Sequence, residues 1–249
     1  MRPSPYDHDP RYRRKLDEIS RRIKVGLDEI QGWPLRTSPK AVLAEASSMT
    51  FAAQMSIEEK GDCWHHVTFL GENQKRFGMM SMTGGDTREE KQQHKQAVWS
   101  RVGQLFNLLD SDVMVVLQDA WYVAMTPERE AAGGAWASDE PDRREVLQLT
   151  IITPTKQALL MCDYERREDG TVHWSDFKKG TSEGGAFQDA LLGQMVQEYR
   201  YLKPAPAMDG QRRLSAIASQ LVTPQRILAE LEELGQYVVD VDQRYLRMN

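Results

Sequence analysis

Apolar residues first fall into a regular pattern at Tyr12, Leu16, Ile19, Ile23, Leu27 and Ile30, three or four positions apart. That spacing sets one stripe along a helix, and Gly32 and Pro34 stop it. Ser38 before Pro39 predicts a second helix running through Val42, Ala46 and Met49, because a serine hydroxyl caps free backbone donors and proline suits the first helical position. The pattern then changes. His66–Leu70 and Phe77–Met82 read as strands flanking a loop at Gly71-Glu72-Asn73-Gln74. Thr87 and Glu90 have capping-box spacing at the head of a helix whose buried face is Val98, Val102, Leu105, Phe106 and Leu109.

Asp112–Met125 is too continuously apolar and β-branched for an exposed strand, which predicts a central strand buried on both faces for much of its length. Glu145–Ile152, Gln157–Tyr164 and Thr171–Phe177 follow, joined at Pro154-Thr155 and Asp169-Gly170. Strands linked by such short turns pair antiparallel, and an Asp-Gly pair tolerates the positive φ of a tight hairpin. Helical spacing returns at Phe187, Leu191, Met195, Tyr199 and Leu202, then around Arg212–Leu221. Thr223 caps a last helix whose apolar positions Ile227, Leu231, Leu234, Val238, Val241 and Tyr245 have heptad spacing. Packing of this stripe within the chain is favoured over a coiled coil, since three heptads make a weak one.

The pattern as a whole specifies an α+β fold: a central antiparallel meander sheet flanked by helices, with helical N- and C-terminal segments. Residues 1–10 read as a flexible arm. Residues 11–249 form a single domain, with N-terminal helices over 11–60, the sheet core over 64–178 and C-terminal helices over 184–249.

Composition narrows the function classes. A net charge of −5, from 32 basic and 37 acidic residues, gives no global attraction to nucleic acid or anionic lipid. The basic cluster of Arg11, Arg13, Arg14, Lys15, Arg21, Arg22 and Lys24 reads first as a solvated helix face and second as a nucleic-acid contact. The absence of a long apolar run and of an apolar leader argues for a cytoplasmic protein without membrane contact. Cys63 and Cys162 read as buried free thiols. Five scattered histidines, with His65 and His66 pointing to opposite faces of a strand, predict neither a metal site nor a cofactor. Gly84-Gly85-Asp86 reads as a chain turn, and Met79, Met80 and Met82 as core filling.

The connection Thr126–Arg144 is unusually long for a compact domain, and long connections tend to be functional. It carries Trp136 after Gly133-Gly134, then Asp142 and Arg143, which together form a candidate interaction loop. Asp119-Ala120-Trp121 before this loop, with Pro141-Asp142-Arg143-Arg144-Glu145-Val146 after it, resembles a group of uncharacterised prokaryotic and bacteriophage proteins. The resemblance covers roughly residues 113–152 and implies a phage or mobile-element origin, with no activity attached. Arg143 is expected to pair with Asp119 or Glu145.

These features point to a non-enzymatic interaction protein that binds a protein partner through Trp136, Asp142 and Arg143, or self-associates through Leu231, Leu234, Val238, Val241 and Tyr245. The alternative is a metal-dependent nuclease or hydrolase, in which Asp142 and Asp176 hold the metal and Lys178 orients water. A second alternative is nucleic-acid binding by the basic N-terminal helix.

Overall fold

The computed structural model describes residues 10–63, 65–71, 77–78, 86–109, 111–123, 126–131, 141–180, 223–236 and 239–240. Helix α1 (Pro10–Gly26) is followed by a 3-10 turn (Asp28–Gly32) and by α2 (Pro39–Lys60). Strands β1 (His66–Leu70) and β2 (Phe77–Gly78) precede α3 (Arg88–Leu108), β3 (Val113–Tyr122) and the short α4 (Pro127–Ala131). Then come β4 (Arg144–Ile152), β5 (Gln157–Arg166), β6 (Val172–Trp174), β7 (Lys178–Lys179), α5 (Pro224–Glu233) and β8 (Val239–Asp240). The chain is an α+β protein around an antiparallel sheet.

The main sheet runs β1-β3-β4-β5-β6, with β7 also on β5, and every pair in it is antiparallel. Alternation along the strands divides two cores. Val113, Val115, Leu117, Leu147, Leu149, Ile151, Leu160 and Cys162 face α1 and α2. On the other face Val67, Phe69, Met114, Val116 and Ile152 meet Val98, Trp99, Val102, Leu105 and Phe106 of α3, and Ile227 and Leu231 of α5. The carboxylate of Asp112, just before β3, ties strand to helix layer. It accepts from the backbone N–H of Arg36 (2.6 Å) and Thr37 (2.9 Å) and from the Thr37 hydroxyl (2.7 Å).

Local signals were followed closely. Ser38, Thr87 and Thr223 each cap their helix, and Glu90 completes the capping box. Gly170 takes φ +81 in the hairpin joining β5 to β6. Two expectations need correction. β1 and β2 do not form one hairpin: β1 pairs with β3, whereas β2 pairs with β8 in a separate two-stranded sheet. The last helix does not run on through Tyr245. Gly235 adopts φ +74, the N–H of Gln236 reaches the Leu231 carbonyl (2.9 Å), and α5 ends at Glu233. The heptad stripe is therefore interrupted, and Leu231 is fully buried inside the chain with Leu234 packed on the same cluster. As expected, the central strand is buried on both faces for much of its length, through Gln118, after which β3 becomes partly exposed.

The N-terminal arm before Pro10, the hairpin loop 72–74, the glycines at 84–85, Met79–Met82 and Trp136 lie outside the described residues. So do the helices expected across 187–221, and Val238, Val241 and Tyr245.

Gly26 lets α1 lie directly on β5. A Cβ there would stand 2.6 Å from the Leu160 side chain, while one at Gly32 would meet nothing within 4 Å. Gly26→Ala should therefore destabilise the protein by about 1–3 kcal/mol, the usual cost of overpacking. Gly32→Ala serves as the control and should leave the urea midpoint within experimental error. Equal midpoints for the two variants would contradict this packing.

Candidate functional site

Helix α2 stops at Gly61, which caps it at φ +77 with its N–H on the Ile57 carbonyl (2.9 Å). The strands beneath lose cover toward this end, where Asp119, Ala120 and Tyr122 of β3 are half-buried and Trp121 is exposed. Asp119, Trp121, Glu145, Tyr164 and Arg166 share the face that α2 covers nearer the core, because they alternate in register with Leu117, Leu147 and Cys162.

These side chains interlock. The Tyr164 hydroxyl donates to Asp119 Oδ1 across the intervening strand (2.8 Å). Arg166 Nε donates to both Glu145 oxygens (3.2 Å each), and its guanidinium lies 5.4 Å from the Tyr164 ring centre. Tyr164 packs on Trp174 with ring centres 4.9 Å apart. Trp174 Nε1 donates to Glu58 (2.7 Å), which also pairs with Lys15. The network thus links α1, α2 and four strands. On the opposite face the relation reverses: the β3 residue Tyr122 donates to the β5 residue Asp163 (3.0 Å), with Lys178 Nζ at 3.4 Å. A Tyr–Asp bond therefore joins β3 to β5 over each face of β4. Both are phenol-to-carboxyl hydrogen bonds.

Burial raises the Asp119 carboxyl to about 6, opposed by the Tyr164 hydrogen bond and assisted by repulsion from Glu145 and Asp62. Burial pushes both thiols, Cys63 and Cys162, up to about 12. Both are buried, and burial favours the protonated thiol over the thiolate. Burial and the nearby Lys95 ammonium push His65 down to about 4, so its ring is neutral. Its Nδ1 is enclosed and has no hydrogen-bond partner among the described residues. The described residues contain no group of three or more His, Cys, Asp or Glu placed to hold a metal.

At this strand end Trp121 is 48% exposed, with the Arg143 guanidinium 4.6 Å from its ring centre. The arginine expected to pair with Asp119 or Glu145 is thus stacked on an aromatic ring. Tyr164 and Arg166 engage those two carboxylates. Asp142 closes the base of the long connection through a two-bond pair with Arg129 (2.7 and 3.3 Å). This pair holds the Asp142 carboxyl below its usual range. Thr126 anchors the start of α4 by accepting from the Arg129 N–H (3.3 Å). Leu231 and Leu234 lie elsewhere, against α3.

The residues of the nuclease alternative are not brought together. Lys178 aligns with Met161 and hence with Gln148, six residues along β4 from Asp142 and two strands away. That separation is about 20 Å along the sheet and about 10 Å across it. Asp176, 86% exposed, faces Arg22 (3.6 Å).

Sequence reasoning singled out Asp119-Ala120-Trp121 only as a motif. A polar residue closing an apolar strand was the available signal that the strand leaves the core there. Comparison with known proteins adds no relative: no protein-family model, no curated protein and no solved structure matches the chain.

Asp119 generates a pH prediction. Its folded-state value lies above the ordinary carboxylate value, so the folded protein binds this proton more tightly than the unfolded chain. The resulting stabilisation is complete below about pH 4 and is lost as pH rises through 6. Asp119→Asn should flatten the stability profile between these limits. It should also make the variant about 1–2 kcal/mol more stable relative to wild type at pH 7.5 than at pH 4, after allowance for the carboxyl's partial exposure. Urea denaturation at both pH values measures it, and parallel profiles for the two proteins would contradict it.

Proposed function

We propose that this chain is a non-enzymatic protein-interaction protein of phage or mobile-element origin, which docks a partner protein on the partly exposed end of its sheet. The observation that carries the reading is Trp121, a large aromatic side chain left 48% exposed at a rigid strand end and oriented by Arg143. Tryptophan and arginine dominate binding energy at protein interfaces, because they offer large contact areas and directed hydrogen bonds. A preformed anchor also loses little entropy on binding. The Arg129–Asp142 pair supports the same reading, since it joins the described residues on either side of the segment carrying Trp136. Leu231 and Leu234 are already engaged within the fold, so the partner surface is assigned to the sheet end rather than to the C-terminal stripe.

Immobilised wild-type protein and Trp121→Ala test the reading by recovery of partners from the cognate host, followed by affinity measurement on the recovered protein. Loss of Trp121 should weaken binding by roughly thirtyfold, equivalent to about 2 kcal/mol. Circular dichroism and thermal midpoint should be preserved. Unchanged affinity in a folded Trp121→Ala protein would refute the docking site. Mg²⁺-dependent cleavage of DNA or RNA that disappears in Asp142→Ala would replace the reading with the nuclease alternative.

A further inference from the structure

A second surface lies at the C-terminal half of α1. A groove of about 610 Å³ separates the C-terminal half of α1 from the segment joining β6 to β7, and is lined by Arg21, Arg22, Val25, Phe177 and Lys179, with Glu18 and Asp176 at its rim. Its size is that of a site that receives a compact ligand or a few side chains. Phe177 packs on the main core, and Val25 is 76% exposed, so the groove has an apolar floor of which part is open to water.

The charge around it is unusual for this molecule. Helix α1 carries seven basic and two acidic residues, whereas the whole chain has a net charge of −5. Some of those cations are engaged. Arg22 bonds Glu18 (2.6 Å) and lies 3.6 Å from Asp176, Lys179 bonds Asp28 (2.8 Å), and Lys15 bonds Glu58. Arg21 lines the groove, and Arg14 lies two helical turns before it on the same outward side; both are exposed and neither has a described partner.

We propose that this groove is a docking site for an acidic peptide segment of a partner protein, whose carboxylates meet Arg14 and Arg21 and whose apolar residue covers Val25 and Phe177. Charge complementarity argues for an acidic occupant. The surroundings argue for a short peptide over a polynucleotide. Glu18, Asp28 and Asp176 lie along the same path, and a phosphate backbone carrying a charge at every step would meet them. A peptide can place its few carboxylates only where the free arginines are. The strongly basic balance typical of nucleic-acid-binding domains is missing, with an isoelectric point near 5.6. This site is independent of the Trp121 surface.

Fluorescence anisotropy with a labelled peptide, a central Leu flanked on both sides by Glu and Asp, tests the proposal on the full chain. The expected result is saturable binding that weakens with added salt. It should fall at least tenfold in Arg21→Glu and in Val25→Asp, and stay unchanged in Trp121→Ala. Arg21→Gln gives a second reading with a smaller charge change, and thermal midpoints confirm folding of each variant. No saturable binding, equal binding of the peptide with Lys and Arg in place of Glu and Asp, or indifference to both Arg21 substitutions would overturn the proposal. Tighter binding of oligothymidylate than of the peptide would also overturn it, in favour of a nucleic-acid site.

Discussion

The burial of β3 on both faces is the constraint from which the other features follow. Val113 through Gln118 lie between α1–α2 on one side and α3–α5 on the other, and each buried aliphatic side chain there contributes about 1.5–3 kcal/mol. A strand enclosed in this way must bond on both edges, and β1 and β4 supply the partners. Its start must also be placed accurately, which Asp112 does by holding the backbone of Arg36 and Thr37. Cover is lost only at the last residues of the strand, where Asp119, Ala120 and Tyr122 are half-buried and Trp121 is exposed. Beyond Gln118 the side chains on this face change from aliphatic to a hydrogen-bonded set of acids, Tyr164 and Arg166, which runs from the buried Tyr164 to the exposed Trp121. The Asp119–Tyr164 and Tyr122–Asp163 bonds stitch β3 to β5 over both faces, so this end is held by cross-strand hydrogen bonds.

Much of this was legible because it is local. A serine before proline, a threonine three residues before glutamate, and an Asp-Gly pair between alternating segments each solve a backbone problem within four residues. The failures are equally physical. The heptad stripe after Pro224 counts apolar positions and ignores Gly235, whose left-handed conformation ends the helix in the middle of the pattern. The pairing of β1 with β3 spans a whole helix, and strand order across such a distance depends on which faces helices cover, not on turn chemistry. Trp121 sits in a run that reads as buried for much of its length, and nothing in the run itself marks Trp121 as the residue left exposed.

The candidate sites follow from the same architecture. A strand end held by cross-strand hydrogen bonds gives an aromatic anchor a fixed position, and the Arg129–Asp142 pair joins the described residues on either side of the long connection. At the C-terminal end of α1 the helix lies so close to β5 that Gly26 touches Leu160, and the groove opens alongside that contact. One surface is aromatic and the other basic, on a body whose overall charge is negative. A partner with an apolar pocket and a partner with an acidic segment could therefore be distinguished by chemistry alone.

The account turns on Trp121 standing outside the core while Trp33 and Trp99 stand inside it. Oxidative labelling of tryptophan in the native protein, read by peptide mass spectrometry, measures this directly. Rapid modification of Trp121, with Trp33 and Trp99 modified only after denaturation, is the predicted result. Protection of Trp121 to the level of Trp99 would contradict the exposed strand end and the anchor placed on it.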